Sequence, residues 1–245
     1  FSFFFFAFSL YQDSMITFQS TETLKNAINA GHHVSIATGR PFRMSHQFYQ
    51  QLELTTPMVN FNGALVHIPN QHWDGERETL INREIAFEIL SQKKQLNLDF
   101  IAAENRDTFF IDSFDFFDEK IFASSRPGEK NLLSPKNLTT NPTSLLVRTD
   151  KRFAGAVSAE LTRQFGSYVD VRTWGGPTAI LEIVSKGIQK AKGVQEIANY
   201  LSIDQKDVIA FGDEHNDLEL LDYAGWGVAM ANGTDQLKGI ANDVT

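Results

Sequence analysis

The sequence predicts an α/β fold: a parallel sheet wound with helices, into which a second, α+β domain is inserted. Three observations predict it. Strand and helix signals alternate through the first third of the chain and again from residue 180 onward. The stretch between is less regular and carries a polar, proline-bearing segment at 126–142. Finally, the apolar run Val208-Ile209-Ala210-Phe211 stops at Gly212, as expected of a strand buried on both faces of a parallel sheet. The expected division is therefore 1–80 with 181–245 as the core, and 81–180 as the insertion.

Residues 3–8, mostly phenylalanine, read as a buried strand. Ser20 suits the cap of a helix whose apolar positions are Leu24, Ala27 and Ile28, closed by Gly31. Residues 33–37 form the next strand signal, ending in Thr38-Gly39-Arg40. Pro41 fits the first turn of a helix with Met44, Phe48 and Leu52 on one face. A third strand at 58–61 runs into the turn signal Asn62-Gly63 and an apolar stretch at 64–68. In the insertion, helices are expected at 83–94 and 152–165, and strands at 98–103, 108–111, 144–147 and 168–172. The alternation then resumes with strands at 180–184, 208–211 and 227–230. A helix at 190–201 has its apolar face through Val194, Ile197 and Leu201.

With 245 residues, 42% of them hydrophobic, the chain can build one large core or two modest ones. Its net charge of -8 and pI of about 5.2 argue against non-specific nucleic-acid or anionic-membrane partners. Phosphate is still a possible ligand, because one amide-lined or cationic pocket suffices to bind it. The chain has no cysteine, which excludes thiolate nucleophiles, disulfides and zinc–cysteine sites and fits a reducing cytoplasm. No apolar run approaches the ~18 residues of a membrane span. Sequons at Asn137 and Asn232 read as chance matches.

The sharpest chemical motif is Gly212-Asp213-Glu214-His215-Asn216-Asp217, placed directly after a buried strand. Ligands bind outside the carboxyl ends of strands in open parallel sheets. Carboxylates in such a loop are hard oxygen donors suited to Mg²⁺. The same residues also suit a solvated acidic turn capping the next helix. In Ala37-Thr38-Gly39-Arg40, a hydroxyl and the amides of a glycine turn can hold phosphate oxygens, although an ordinary strand-to-helix turn has the same composition. Lys190, at a helix start, can offset phosphate charge, but it is one of three lysines in its segment. Asn62 and Gly63, with Arg40, could line the same crevice. The six histidines (His32, His33, His46, His67, His72 and His215) show no metal-site spacing and read as surface or turn residues. Neither common glycine-rich nucleotide fingerprint is present.

In order and spacing, these pieces resemble the haloacid dehalogenase superfamily, in its Cof-type branch. The matching stretches are Ala37-Thr38-Gly39-Arg40-Pro41, Asn60-Phe61-Asn62-Gly63-Ala64, the lysine segment ending at Lys190, Gly212 through Asp217, and Gly227-Val228-Ala229-Met230-Ala231-Asn232-Gly233. The resemblance implies a Rossmann-like doubly wound core with an inserted cap domain that sets specificity. It also implies Mg²⁺-dependent hydrolysis of small phosphorylated metabolites, such as sugar phosphates or phosphorylated cofactors, through an aspartyl-phosphate. By motif, Thr38 and the Gly39 amide would hold phosphate and Lys190 would offset its charge. Asn216 would contact phosphate, and Asp213 and Asp217 would serve the metal. One motif departs: the family's D-x-D-G-T should lie just before Leu10, where this chain reads Phe5-Phe6-Ala7-Phe8-Ser9. The nucleophile position falls on Phe5 and the acid/base position on Ala7, and neither side chain can do that work. The alternative expectation is a protein of this fold that binds phosphorylated ligands without turnover. A receiver-like signalling domain uses similar residues but does not account for the insertion or the length.

Overall fold

The computed structural model describes residues 3–6, 16–122, 127–173 and 179–245, the first of these segments through its backbone. In chain order the elements are β1 (Phe3–Phe6), α1 (Phe18–Asn29), β2 (His33–Ile36), α2 (Phe42–Gln51), β3 (Met58–Asn60), β4 (Leu65–His67), β5 (Arg77–Glu78), α3 (Arg83–Ser91), β6 (Leu98–Glu104), β7 (Phe109–Ile111), α4 (Glu119–Phe122), β8 (Ser144–Thr149), α5 (Lys151–Phe165), β9 (Val169–Thr173), β10 (Ile180–Ser185), α6 (Lys190–Tyr200), β11 (Val208–Gly212), α7 (Leu218–Tyr223), β12 (Trp226–Ala229), α8 (Asp235–Ile240) and β13 (Asp243–Val244). They divide into two compact units. One holds residues 1–40, 45–77 and 189–245; the other holds 41–44 and 78–188.

The first unit is built on a parallel sheet in the order β13-β12-β11-β1-β2, with β1 at its centre. A parallel bridge from Ala37 to Val59 carries the order on towards β3, which turns back antiparallel onto β4. Val194, Ile197 and Ala198 of α6 pack with Val59, Val66, Val208, Ala210, Leu220 and Leu237, so the helix face expected from the sequence is the one buried. Gly193 allows that packing: a Cβ there would lie 2.9 Å from the methyls of Val59. Two local expectations need correction. Thr17, not Ser20, caps α1, because the Thr17 hydroxyl accepts the Ser20 N–H. His67, expected at the surface or in a turn, is fully buried in β4, where a polar side chain must find a partner.

The second unit is an antiparallel sheet in the order β7-β6-β8-β10-β9. Ile85, Ala86 and Ile89 of α3 and Val157, Leu161 and Phe165 of α5 cover one face, against Ile101, Ala103, Leu145, Val147, Leu181 and Ile183. The strand at 180–185 is where the sequence division errs. It is flanked on both sides by antiparallel partners, β8 and β9, and so belongs to this sheet rather than to the core. An apolar run does not reveal the direction of its neighbours, which places the division at 77/78 and 188/189. Within this unit the Arg43 guanidinium pairs with the buried Glu104 carboxylate and donates to the Phe122 carbonyl at 3.0 Å. Ser144 donates to the other Glu104 oxygen at 3.3 Å.

Removing one partner of a buried ion pair leaves an uncompensated charge, at a cost of about 3–5 kcal/mol. Arg43→Leu is therefore expected to shift chemical denaturation by about that amount. Replacing both partners with leucine should restore most of the loss. Equal destabilisation by the single and double replacements would show that the charge on Glu104 is not the issue.

Candidate active site

The strand register sets the level of the site. Phe5 on β1 lies across from Ser35 on β2 and Ala210 on β11. Thr38 and Asp213 each stand three residues further along their own strands, so the two loops meet at one level, at the carboxyl end of the sheet. At about 3.3 Å per residue, Phe5 sits roughly 10 Å below that level, within the sheet rather than at its rim. The other motif position, Ala7, lies outside the described residues.

The Thr38 turn is held by three bonds. The Thr38 N–H donates to the Val59 carbonyl at 2.9 Å, and the Thr38 carbonyl accepts from the Asn62 N–H at 3.1 Å. The Thr38 hydroxyl oxygen accepts the Arg40 N–H at 3.1 Å, which leaves its own hydrogen to donate. Arg40 is half-buried, and desolvation lowers its pKa from the usual arginine value. A guanidinium stays charged under such a shift, so the turn carries a fixed cation. Gly39 lies against the Asn62 side chain, where a Cβ would come within 2.9 Å of Nδ2.

The Asn62-Gly63 turn joins the other segments. Both residues take left-handed backbone, with φ of 55° and 107°. The Asn62 Oδ1 accepts from Asn216 Nδ2 at 2.9 Å, tying this turn to the Asp213 loop. A Cβ on Gly63 would overlap the carbonyl of Gln189, the residue that begins α6, so only glycine lets the turn seat against the Lys190 helix. The Asn216 Oδ1 is buried and has no hydrogen-bond partner among the described residues.

Lys190 and Asp217 form a buried ion pair, with Nζ to Oδ1 at 2.6 Å and side chains 5% and 1% exposed. The second Asp217 oxygen accepts the backbone N–H groups of Asp213 and Glu214, each at 3.1 Å. Asp217 thus has three strong donors and acts as the internal anchor of its loop. The sequence expectation of a metal ligand at this position meets a carboxylate that is already spoken for. Asp213 is only partly buried; its Oδ2 accepts from Asn232 Nδ2 at 3.2 Å, and its carbonyl accepts the Thr234 N–H at 3.1 Å. Among the described residues no three His, Cys, Asp or Glu side chains gather as a ready-made metal cage.

All the expected site residues in the first unit, Thr38, Gly39, Arg40, Asn62, Gly63, Lys190, Asp213, Asn216 and Asp217, are joined by this network or lie in the loops it joins. Sequence reasoning gave no role to Asn232 or to the Asp213 and Glu214 amides. The Gly227–Gly233 match pointed to Asn232's segment, but nothing in the sequence marks which backbone amides a carboxylate will take.

Comparison with known proteins agrees with this geometry. A sequence model of the haloacid dehalogenase-like hydrolases matches residues 10–245, beginning just after the phenylalanine-rich segment. A Bacillus subtilis (strain 168) protein, 5-amino-6-(5-phospho-D-ribitylamino)uracil phosphatase YitU, is 36% identical over 96% of this chain and 87% of its own. The crystal structure of a haloacid dehalogenase-like hydrolase from Bacteroides thetaiotaomicron superposes with a TM-score of 0.81 at 20% identity, covering 100% of this chain and 93% of that one. The subclass IIB sugar phosphatase BT4131 superposes at 0.79 with 18% identity, covering 100% and 93%. At those identities the two structures speak for the fold, an α/β core with an inserted cap. The nearly full-length family match and the Bacillus relative carry the rest: this chain belongs to the haloacid dehalogenase-like hydrolases, in their Cof-type phosphatase branch.

Proposed function

We propose that the crevice at the carboxyl end of the parallel sheet is a phosphomonoester site for a small phosphorylated metabolite. The observation that carries this reading is the convergence of four groups from three sequence-distant segments. A hydroxyl donor on Thr38, the Gly39 amide, the Asn216 carboxamide and the buried Lys190 cation come from loops bonded to one another. Charge on phosphoryl oxygens is stabilised by fixed donors of this kind, placed before the substrate arrives. The Bacillus relative's name supports a phosphorylated sugar-alcohol substrate carrying a heterocycle, and such a compound is the first ligand to test.

Mg²⁺ fits this site only in part. Asp213, beside the exposed Glu214 of the same loop, would hold it, while Lys190 and two amides already engage Asp217. Mg²⁺ keeps several waters and often takes one or two carboxylates together with substrate phosphate. When bound, it would neutralise phosphoryl charge. The chain's own residues orient the phosphate through Thr38, keep a cation beneath it through Lys190, and hold the Asp213 loop in place through Asp217.

A specific observation favours binding over turnover in this polypeptide. Residues 1–12 contain no Asp or Glu, so the family's D-x-D motif is missing from that stretch of sequence. Phosphate-monoester hydrolysis without catalysis is among the slowest reactions known, and a missing nucleophile is not offset by a well-formed pocket. On this reading the chain as it stands holds the phosphate, and hydrolysis awaits a carboxylate nucleophile.

Calorimetric titration with inorganic phosphate should detect binding that Thr38→Val weakens about tenfold, the worth of one lost hydrogen bond to a charged group. Saturable binding unaffected by Thr38→Val would count against the site. Added Mg²⁺ should tighten phosphate binding in the native chain and do nothing in Asp213→Asn. Hydrolysis of 4-nitrophenyl phosphate should stay at the buffer rate; Mg²⁺-dependent turnover with a trappable aspartyl-phosphate would overturn the binding-only reading. Asp217→Ala should cost about 3–5 kcal/mol of stability by stranding Lys190, as seen in thermal unfolding.

A further inference from the structure

The buried His67 lies outside everything assigned above. We infer that it is a positioning residue for the Thr38–Arg40 turn, acting through Asn60. This rests on the phosphate-site reading for its functional meaning, but not for its geometry.

The Asn60 side chain is completely buried on β3. Its Nδ2 donates to the Arg40 carbonyl at 2.8 Å and lies 2.9 Å from the Ser45 hydroxyl oxygen. Its Oδ1 lies 2.9 Å from Nε2 of His67, itself fully buried on β4. A backbone carbonyl can only accept, so the Asn60 atom facing Arg40 must be the nitrogen. The atom facing His67 is then the oxygen, which also can only accept. His67 Nε2 must therefore carry a hydrogen and donate it. The order of donors runs one way, from the imidazole through the carboxamide to the Arg40 carbonyl. That carbonyl also accepts the Phe61 N–H at 3.3 Å, and the Arg40 N–H closes the turn onto the Thr38 hydroxyl.

The consequence is specific. Without the His67 donor, the Asn60 oxygen is left buried and unsatisfied, and the carboxamide is no longer held from both ends. A carboxamide that shifts to find water or another donor for that oxygen weakens its bond to the Arg40 carbonyl. The turn that presents Thr38 and Arg40 then loses its support from the sheet. No contact between His67 and a ligand is needed, and none is proposed.

The test is amide hydrogen exchange of the ligand-free protein, read on peptides spanning 37–42, in the native chain, His67→Leu and His67→Gln. Glutamine places an N–H near the position of Nε2. The expected result is exchange at 37–42 faster by about tenfold in His67→Leu, with the β11 peptide unchanged and glutamine restoring protection. Unchanged protection at 37–42 in His67→Leu would overturn the inference. So would a uniform loss across the first unit that glutamine does not rescue, since that is a packing effect. Titration of the same variants with inorganic phosphate separates the two claims. If His67→Leu loosens the turn but the native chain binds no phosphate, the phosphate reading fails and the positioning role stands. If phosphate binds the native chain and His67→Gln alike and His67→Leu about tenfold more weakly, both stand.

Discussion

The buried contact between Lys190 and Asp217 organises the first unit's carboxyl edge. Taking two charges out of water is costly, and the cost is offset only when the remaining hydrogen-bonding capacity is also met. Here it is met for the carboxylate by the Asp213 and Glu214 amides, which fixes the loop after β11. The cation is delivered by the first residue of α6, and Gly63 lets the start of that helix sit against the Asn62 turn. Each neighbouring piece is then constrained in turn: Asn216 reaches Asn62, and Asn62 reaches the Thr38 carbonyl. The crevice has its shape because one ion pair requires it.

A second ion pair, Arg43 with Glu104, plays a comparable part inside the other unit. It anchors one side of the antiparallel sheet while aliphatic residues of two helices fill the other. The contrast between the units is instructive. The parallel sheet gathers its polar network at strand ends, where backbone groups run out of ladder partners. The antiparallel sheet carries its buried charge at Glu104, whose Ser144 partner lies directly across on β8.

Much of this was legible in the sequence, for physical reasons. Val208-Ile209-Ala210-Phe211 announced a parallel strand through its apolar run, although only Val208 and Ala210 are fully buried and Ile209 and Phe211 partly so. Lys190–Tyr200 was readable because its apolar residues repeat at helical spacing. Short elements such as α7 and α8, six residues each, give too few periods to detect. Residue Ile183 gave no sign of its antiparallel neighbours, so the division between units was misplaced. At the site, residue types were visible and pairings were not. The Asp217 carboxylate was visible but its pairing with Lys190 and two amides was not, because a carboxylate reads the same in sequence whether its oxygens are free or taken. His67 looked incidental because burial of a histidine depends on a partner, Asn60, that spacing alone does not connect to it.

The Lys190–Asp217 pair is also self-contained, because one loop supplies every partner of its carboxylate other than the lysine. The Lys190 charge is balanced from within the Asp213 loop, so the positive group beneath these loops is set in place before any ligand arrives. Loop architecture and reactive chemistry are therefore separable requirements in this fold.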